Sequence, residues 1–202
     1  MNSNKNKLYP VFLKLEQLQT LLVGGGNVGL EKLDSLLSNA PEAPVTIVAP
    51  FVRKEIRDLV ARHPHCKIEE RPFVLADLEH KHLVICATDN PGLHREIKEH
   101  AGERFLLVNV ADTPDLCDLY LGSIVQKGYI KIAISTNGMS PTIAKRIKEL
   151  LIDILPEEMD ELLDNLQIIR NEIKGGFEEK VKRLNAITRE LSVTTAKNDS
   201  HA

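Results

Sequence analysis

Thr20-Leu-Leu-Val-Gly24-Gly25-Gly26-Asn27-Val28-Gly29-Leu-Glu-Lys-Leu-Asp-Ser-Leu-Leu37 carries a short apolar run into a glycine cluster and then into leucines at helical spacing. Gly24, Gly26 and Gly29 satisfy G-x-G-x-x-G, with Gly25 an extra glycine inside it. In a strand-turn-helix setting each glycine has a task. One turns the strand sharply, one lets the backbone approach a pyrophosphate, and one lets the helix pack against the sheet. The first helical N–H groups then face the anion, where the helix dipole favours negative charge. A glycine string alone is a weak signal, because any tight turn can want glycines. Its placement between an apolar run and an amphipathic pattern favours a dinucleotide site.

Strand-like runs recur at Leu21–Val23, Val45–Val48, Leu83–Ala87 and Phe105–Val110, with a weaker one at Lys67–Glu69. Helical patterns at Val28–Leu37, Arg53–Arg62 and Leu93–Ala101 lie between them. This alternation predicts an α/β, Rossmann-like parallel sheet. The strands carry Val, Ile and Leu on both parities, as strands buried on both faces should. Beyond Asp112 the texture changes. Leu119–Val125 and Tyr129–Ser135 read as a β-hairpin joined by Lys127-Gly128. Ser140-Pro141 then opens a helix, with Ser as N-cap and Pro in the first turn, and Pro156 closes it. Further on, Leu162, Leu166, Ile169 and Ile173 share a stripe, and Phe177, Val181, Leu184 and Leu191 resume it after Gly175-Gly176. The expected organisation is a nucleotide domain over residues 1–113 and a hairpin-and-helix region over 114–155. A helical region over 156–193 and a disordered polar tail over 194–202 follow. The long apolar stripes suggest pairing with a second copy; packing back onto the first domain is the competing reading.

Composition excludes several classes. With 202 residues, a net charge of −3 and 27% charged residues, no basic block marks a nucleic-acid partner. Aromatics make up 4% and Trp is absent, which disfavours stacking platforms for single strands. The polar start, Met1 to Lys7, has no apolar core of a secretory signal, and no apolar run reaches membrane-spanning length. Cys66, Cys86 and Cys117 are scattered without a C-x-x-C, the usage of a reducing cytosol, so a cytoplasmic location is expected.

Several segments together resemble the siroheme synthase N-terminal module family, which comprises precorrin-2 dehydrogenases with or without sirohydrochlorin ferrochelatase activity. They are Tyr9-Pro-Val-Phe-Leu, Leu-Leu-Val-Gly-Gly-Gly-Asn-Val, Val45-Thr-Ile-Val-Ala-Pro50, Cys86-Ala-Thr-Asp89 and Val108-Asn-Val-Ala-Asp112. Asp115-Leu-Cys-Asp, Ile132-Ala-Ile-Ser-Thr-Asn-Gly-Met-Ser-Pro141 and Ala144-Lys-Arg complete the series, in order, over roughly Leu8 to Pro156. The chain departs from the family at His94, where Asn is frequent, at Asn137-Gly138, usually Gly-Gly, and at Gly29, commonly Ala. The resemblance implies an NAD-binding domain, a homodimer, a tetrapyrrole substrate (precorrin-2, giving sirohydrochlorin), and, in bifunctional members, ferrous iron insertion.

Ligands of this fold lie beyond the carboxyl ends of the strands. The candidate cofactor residues are therefore Gly24, Gly25, Gly26, Asn27, Val28 and Gly29, then Pro50 and Phe51 after the second strand, Thr88 after the fourth and Asn109 in the fifth. The acid that usually grips the ribose 2′-OH is missing, since Val48-Ala-Pro-Phe51 stands there. Arg53 nearby could hold a 2′-phosphate or simply be a solvated arginine. Residue chemistry leaves NAD and NADP open; the resemblance favours NAD.

Asp112 directly follows the fifth strand. A dehydrogenation removes a hydride and a proton, and a carboxylate beside the nicotinamide can accept the proton. A turn-forming Asp before Thr113-Pro114 is the bland alternative. The resemblance places the family's catalytic Asp at Asp112 and a substrate hydroxyl at Thr136, and Ser140 at a helix start suits an acidic tetrapyrrole. Metal ligands are poorly signalled: His63-Pro-His-Cys66 has no zinc-site spacing, and Cys117 reads as a packed thiol. His94 falls near the cleft end of the fourth strand, where it could touch substrate, with a helix-surface position the safer reading. Two other classes compete. A non-catalytic nucleotide-sensing domain would need an acid ending the second strand and would not need the Asp112 segment. A dehydrogenase of another acidic substrate fits less specifically.

Overall fold

The computed structural model describes residues 6–156 and 159–189. The chain forms two compact units. One is the chain up to Leu121 together with Thr136–Met139; the other is Gly122–Ser135 and the chain from Ser140 onward.

The first unit is a five-stranded parallel sheet in the order β3-β2-β1-β4-β5. Its elements are β1 (Thr20–Val23), α1 (Asn27–Asn39), β2 (Val45–Val48), α2 (Lys54–Val60) and β3 (Lys67–Glu69), followed by β4 (Leu83–Cys86), α3 (Pro91–Glu103) and β5 (Leu107–Val110). Each central strand is buried on both faces. Leu22, Ile47 and Ile85 point to one side, against Leu33 and Leu37 of α1 and Ile56 of α2. Leu21, Val23, Val84 and Cys86 point to the other, against Ile97 and Ala101 of α3. That two-sided burial is why Val, Ile and Leu fill both parities. The strand order reverses between β1 and β4, so a crevice opens where their carboxyl ends diverge.

The β1–α1 turn is built on absent side chains. A Cβ on Gly24, which stands at φ +126°, would run into the Ala87 carbonyl at the end of β4. One on Gly25 would strike the Phe51 carbonyl beyond β2, and one on Gly29 would strike Gly24. A Cβ on Gly26 would meet nothing within 4 Å. Three glycines thus let the backbones close up, and the fourth faces open space.

Some boundaries differ from the sequence expectation. The last strand of the sheet begins at Leu107, because Phe105 adopts φ +56° and ends α3 as a left-handed cap, with the Leu106 N–H bonded back to the Ala101 carbonyl at 3.0 Å. Helical hydrogen bonding also reaches Pro91, where Asn90 caps the N–H groups of Gly92 and Leu93 at 3.0 and 3.1 Å.

The second unit contains a hairpin of β6 (Ser123–Lys127) and β7 (Ile130–Ile134), then α4 (Pro141–Ile154), α5 (Met159–Glu172) and α6 (Phe177–Thr188). The hairpin starts later than Leu119, since Leu119 and Leu121 pack against the first unit's core. Its two-residue loop is Gly128-Tyr129 rather than Lys127-Gly128, with Gly128 at φ +54° taking the first loop position. Ser140 accepts the Ile143 N–H at 3.2 Å and Pro141 sits in the first turn, so the expected cap forms. Pro156 follows the end of α4 as expected. Leu191 and the tail over 194–202 lie outside the described residues.

The glycine roles separate by mutation. Gly24→Ala should lower unfolding stability by at least about 2 kcal/mol through overlap and a positive φ. Gly26→Ala should cost less than about 1 kcal/mol, the scale of a helix N-cap change. Urea denaturation of the two variants beside the parent would check this contrast.

Candidate functional site: a dinucleotide cleft

A cleft of about 930 Å³ opens at the carboxyl ends of β1, β2, β4 and β5. It is lined by Gly24–Val28, by Ala49–Phe51, by Thr88–Pro91 and by Ala111–Thr113. Pro72 and Phe73, from the loop after β3, also line it. That loop is fixed by Arg71, whose guanidinium makes two bonds to Asp77 at 2.9 and 2.6 Å, while Asp77 also accepts the Val74 N–H at 2.9 Å. The hydrogen bonds from Arg71 hold the Asp77 carboxyl below its ordinary range, against its partial burial.

The site suits a dinucleotide on its own chemistry. The first intrahelical bond of α1 runs from Leu30 N–H to the Gly26 carbonyl at 3.0 Å. The N–H groups of Asn27 and Val28, earlier in the turn, therefore have no carbonyl within the helix to bind. Both residues line the cleft beside the vacant space over Gly26. A pyrophosphate placed there would meet helix N–H donors and the positive end of the dipole without a blocking side chain. Gly29 does not line the cleft; it lets α1 approach Gly24.

Asn27 is oriented by a neighbour. The Arg53 guanidinium donates to the Asn27 side-chain oxygen and to Glu55, and the Arg53 N–H binds the Gly25 carbonyl at 3.0 Å. The amide NH₂ of Asn27 is thus the end left for a ligand. Pro50 and Phe51 line the cleft as expected, with Phe51 67% exposed where a ribose-binding acid would stand.

On the β4–β5 side, Thr88 lines the cleft and its hydroxyl lies 2.8 Å from His94 Nε2. The same oxygen accepts the Asn90 N–H at 3.2 Å. His94 is not a helix-surface residue: it is 4% exposed and borders the cleft. Position 94 shares the inward face of the helix with Ile97 and Ala101. Burial pushes its pKa below the ordinary 6.5, against a smaller upward pull from Asp89. The available signal was the helical spacing of positions 94, 97 and 101, which form the buried face of α3.

Asn109 is a correction. It does not line the cleft, because its side-chain amide is buried and donates to the Leu119 carbonyl at 2.9 Å. It ties down the segment after β5, as does Asp118, which accepts the Val108 N–H at 3.0 Å and pairs with Lys98. Cys117 is a packed thiol bonded to the Val110 N–H and carbonyl, each at 3.2 Å. Cys86 is fully buried, and burial pushes its thiol up to about 12. His63 bonds the Leu59 carbonyl at 2.8 Å, and the Cys66 thiol is buried.

Asp112 lines the cleft, exposed and at φ +56°. Among the described residues no hydrogen bond or ion pair engages its carboxylate. Thr136 belongs to a turn with the Met139 N–H on its carbonyl at 3.1 Å, where Asn137 and Gly138 both take positive φ. It does not line the cleft. Ser140 lies in the second unit, as the cap of α4.

Residues 11–123 match the family described as "Putative NAD(P)-binding". The chain belongs to that family. Residues 127–153 match a second family, the sirohaem biosynthesis protein central region. The chain is 35% identical over 167 residues to the siroheme synthase of Psychrobacter cryohalolentis, and 37% identical over 169 residues to that of Thioalkalivibrio sulfidiphilus. Each alignment takes 83% of this chain but only 31% and 34% of the relative, so the chain spans about a third of their length. Among solved structures, SirC, a precorrin-2 dehydrogenase, superimposes with a TM-score of 0.71 at 25% identity. That match covers 93% of this chain and 94% of SirC. No helix among the described residues is long and apolar enough to cross a membrane.

Filling the space over Gly26 should remove the coenzyme and spare the fold. Gly26→Val is expected to weaken NAD binding by roughly a hundredfold, about 3 kcal/mol, with an unchanged circular dichroism spectrum. Titration of NAD into the folded variant by calorimetry checks it; parental affinity would move the pyrophosphate elsewhere.

Proposed function

We propose that this chain oxidises precorrin-2 to sirohydrochlorin with NAD, as a step of siroheme biosynthesis. The observation that carries this reading is the Asp112 carboxylate, which lines the dinucleotide cleft without a partner among the described residues. Bound NAD supplies the hydride acceptor. Gly24–Val28 hold the pyrophosphate, Pro50 and Phe51 flank the adenosine, and Thr88 lies toward the nicotinamide half. Asp112 takes the proton that leaves the macrocycle as the hydride departs. The likeness to SirC along nearly the whole chain supports this choice over a sensing domain, which needs no such carboxylate. Iron insertion would use the same group, since two pyrrole N–H protons must leave as the metal enters. Thr136 and Ser140 are proposed to meet the acidic periphery of the tetrapyrrole.

Asp112→Asn is the informative variant. Asparagine tolerates the left-handed backbone as aspartate does, so the change removes the basic carboxylate and leaves the turn. NADH formation from precorrin-2 should fall by roughly a hundredfold or more, the scale of general acid–base assistance. NAD affinity should stay within a few-fold of the parent. Near-parental turnover by the folded variant would make Asp112 a turn residue.

We also propose a homodimer formed through the second unit. Ile143, Ile147, Leu150 and Ile154 repeat along one face of α4 and are 53, 38, 58 and 60% exposed. About a quarter-turn round the helix, the face with buried Ala144 is the one packed within the chain, against β6 and β7. Leu162, Leu166 and Ile169 of α5 are only half-buried. Four aliphatic side chains on one exposed helix face suit a self-complementary contact. Leu150→Asp is expected to shift sedimentation at micromolar concentration from dimer to monomer. A monomeric parent under the same conditions would overturn the assignment.

A further inference from the structure

The Thr88–His94 pair has no part in the reading above beyond Thr88's position, yet it is a buried titratable group at the edge of the coenzyme cleft. The Thr88 oxygen already accepts the Asn90 N–H, at 3.2 Å, and faces His94 Nε2 at 2.8 Å. A hydroxyl has one proton and two lone pairs. If that proton goes to Nε2, the cleft receives only a lone pair. If Nε2 carries a proton, it must donate, and the hydroxyl proton then turns outward. We propose that His94 is a positioning residue which, as the neutral Nδ1–H tautomer, takes the Thr88 hydroxyl proton, so that Thr88 meets bound dinucleotide as a hydrogen-bond acceptor for a carboxamide NH₂. Protonation of His94 reverses that polarity.

The surroundings favour the neutral ring. His94 is 4% exposed, and burial lowers its pKa from 6.5. The charged groups on the elements around α3 are largely engaged elsewhere. Lys98 pairs with Asp118, and Asp77 pairs with Arg71. Asp115 belongs to the turn Pro114–Leu116, and Asp112 lines the cleft at the end of β5. Among the described residues, Asp89, in the loop that carries Thr88, is the charge that acts on the imidazole, upward against the larger burial effect. The acceptor state therefore holds above 6.5 and is lost as pH falls through the lowered pKa of the folded protein.

The inference rests on the dinucleotide reading of the cleft, and the test separates the two. NAD dissociation constants are measured by calorimetry for the parent and for Thr88→Val, from about pH 8 to about pH 5, the range where histidine changes charge. The ratio reports the hydroxyl when the two proteins are compared at equal His94 charge, read in each by ¹⁵N NMR, because removing Thr88 also moves the titration of the ring it partners. The ratio should be about tenfold at the alkaline end, the scale of one hydrogen bond. It should approach one on the acid side, following the His94 titration read by ¹⁵N NMR on the same protein. Thr88→Ser, which keeps the hydroxyl, should follow the parent, and His94→Gln should show no pH-dependent ratio against its Thr88→Val double variant. A ratio that stays flat with pH overturns the role of His94 while leaving the cleft assignment standing. Failure of the parent to bind NAD at any pH overturns both.

Discussion

Backbone proximity at the head of β1 is the constraint on which the first unit depends. Gly24 passes the Ala87 carbonyl and Gly25 passes Phe51, so the end of β1 is pressed between the segments leaving β4 and β2. Gly29 then brings the first turn of α1 onto Gly24. Only where three chains crowd in this way can the N-terminus of α1 stand at the crevice where the strand order reverses. The hydrogen bonds that continue the ladder past the strands, Gly24 N–H to Val48 and Ala87 N–H to Val23, at 3.0 and 2.8 Å, hold the crowded arrangement. Gly26 is exempt from the crowding and leaves open space at the N-terminus of α1. Close packing and open space thus fall to different glycines of one short string.

Much of this was legible in the chain because the signals are local. The parity of Val, Ile and Leu in β1, β2 and β4 reports burial on two faces, and Ser140-Pro141 reports a helix start from two adjacent residues. Where the sequence misled, the deciding interaction was distant in the chain. Asn109 looks like a cleft residue by its place at the end of a strand, but its amide is claimed by the Leu119 carbonyl, ten residues on. Phe105 carries strand propensity, yet closing α3 requires a left-handed residue at that point, and the helix end overrides the propensity. Pro72 and Phe73 reach the cleft only because Arg71 and Asp77 fold their loop, a pairing no periodicity announces.

His94 was legible from periodicity alone. Standing three residues before Ile97 and seven before Ala101, both fully buried, it shares their inward face wherever the helix is taken to start. An imidazole there could be stranded, since an unpartnered buried polar group costs about 1–3 kcal/mol. Thr88 prevents that by offering its hydroxyl across the helix start, and Asn90 steadies Thr88 from the other side. Three polar residues at the end of β4 thus satisfy one another at the edge of an otherwise apolar sheet end.

Asp112 is set in place by what precedes and follows it. Before it, the Ala111 N–H continues the sheet ladder to the Cys86 carbonyl at 2.9 Å. After it, the Cys117 thiol bonds both the N–H and the carbonyl of Val110, closing the segment into a tight return. Between two such anchors the chain must reverse within a few residues, and Asp112 takes φ +56° to do so. For a residue other than glycine that conformation costs roughly 1–2 kcal/mol, less where a short polar side chain bonds locally. Glycine would remove the cost, so the turn's own needs would select glycine. A carboxylate at that position adds nothing to the turn, since among the described residues it bonds no part of it. What it adds is a negative oxygen pair at the cleft, on a backbone too constrained to withdraw it.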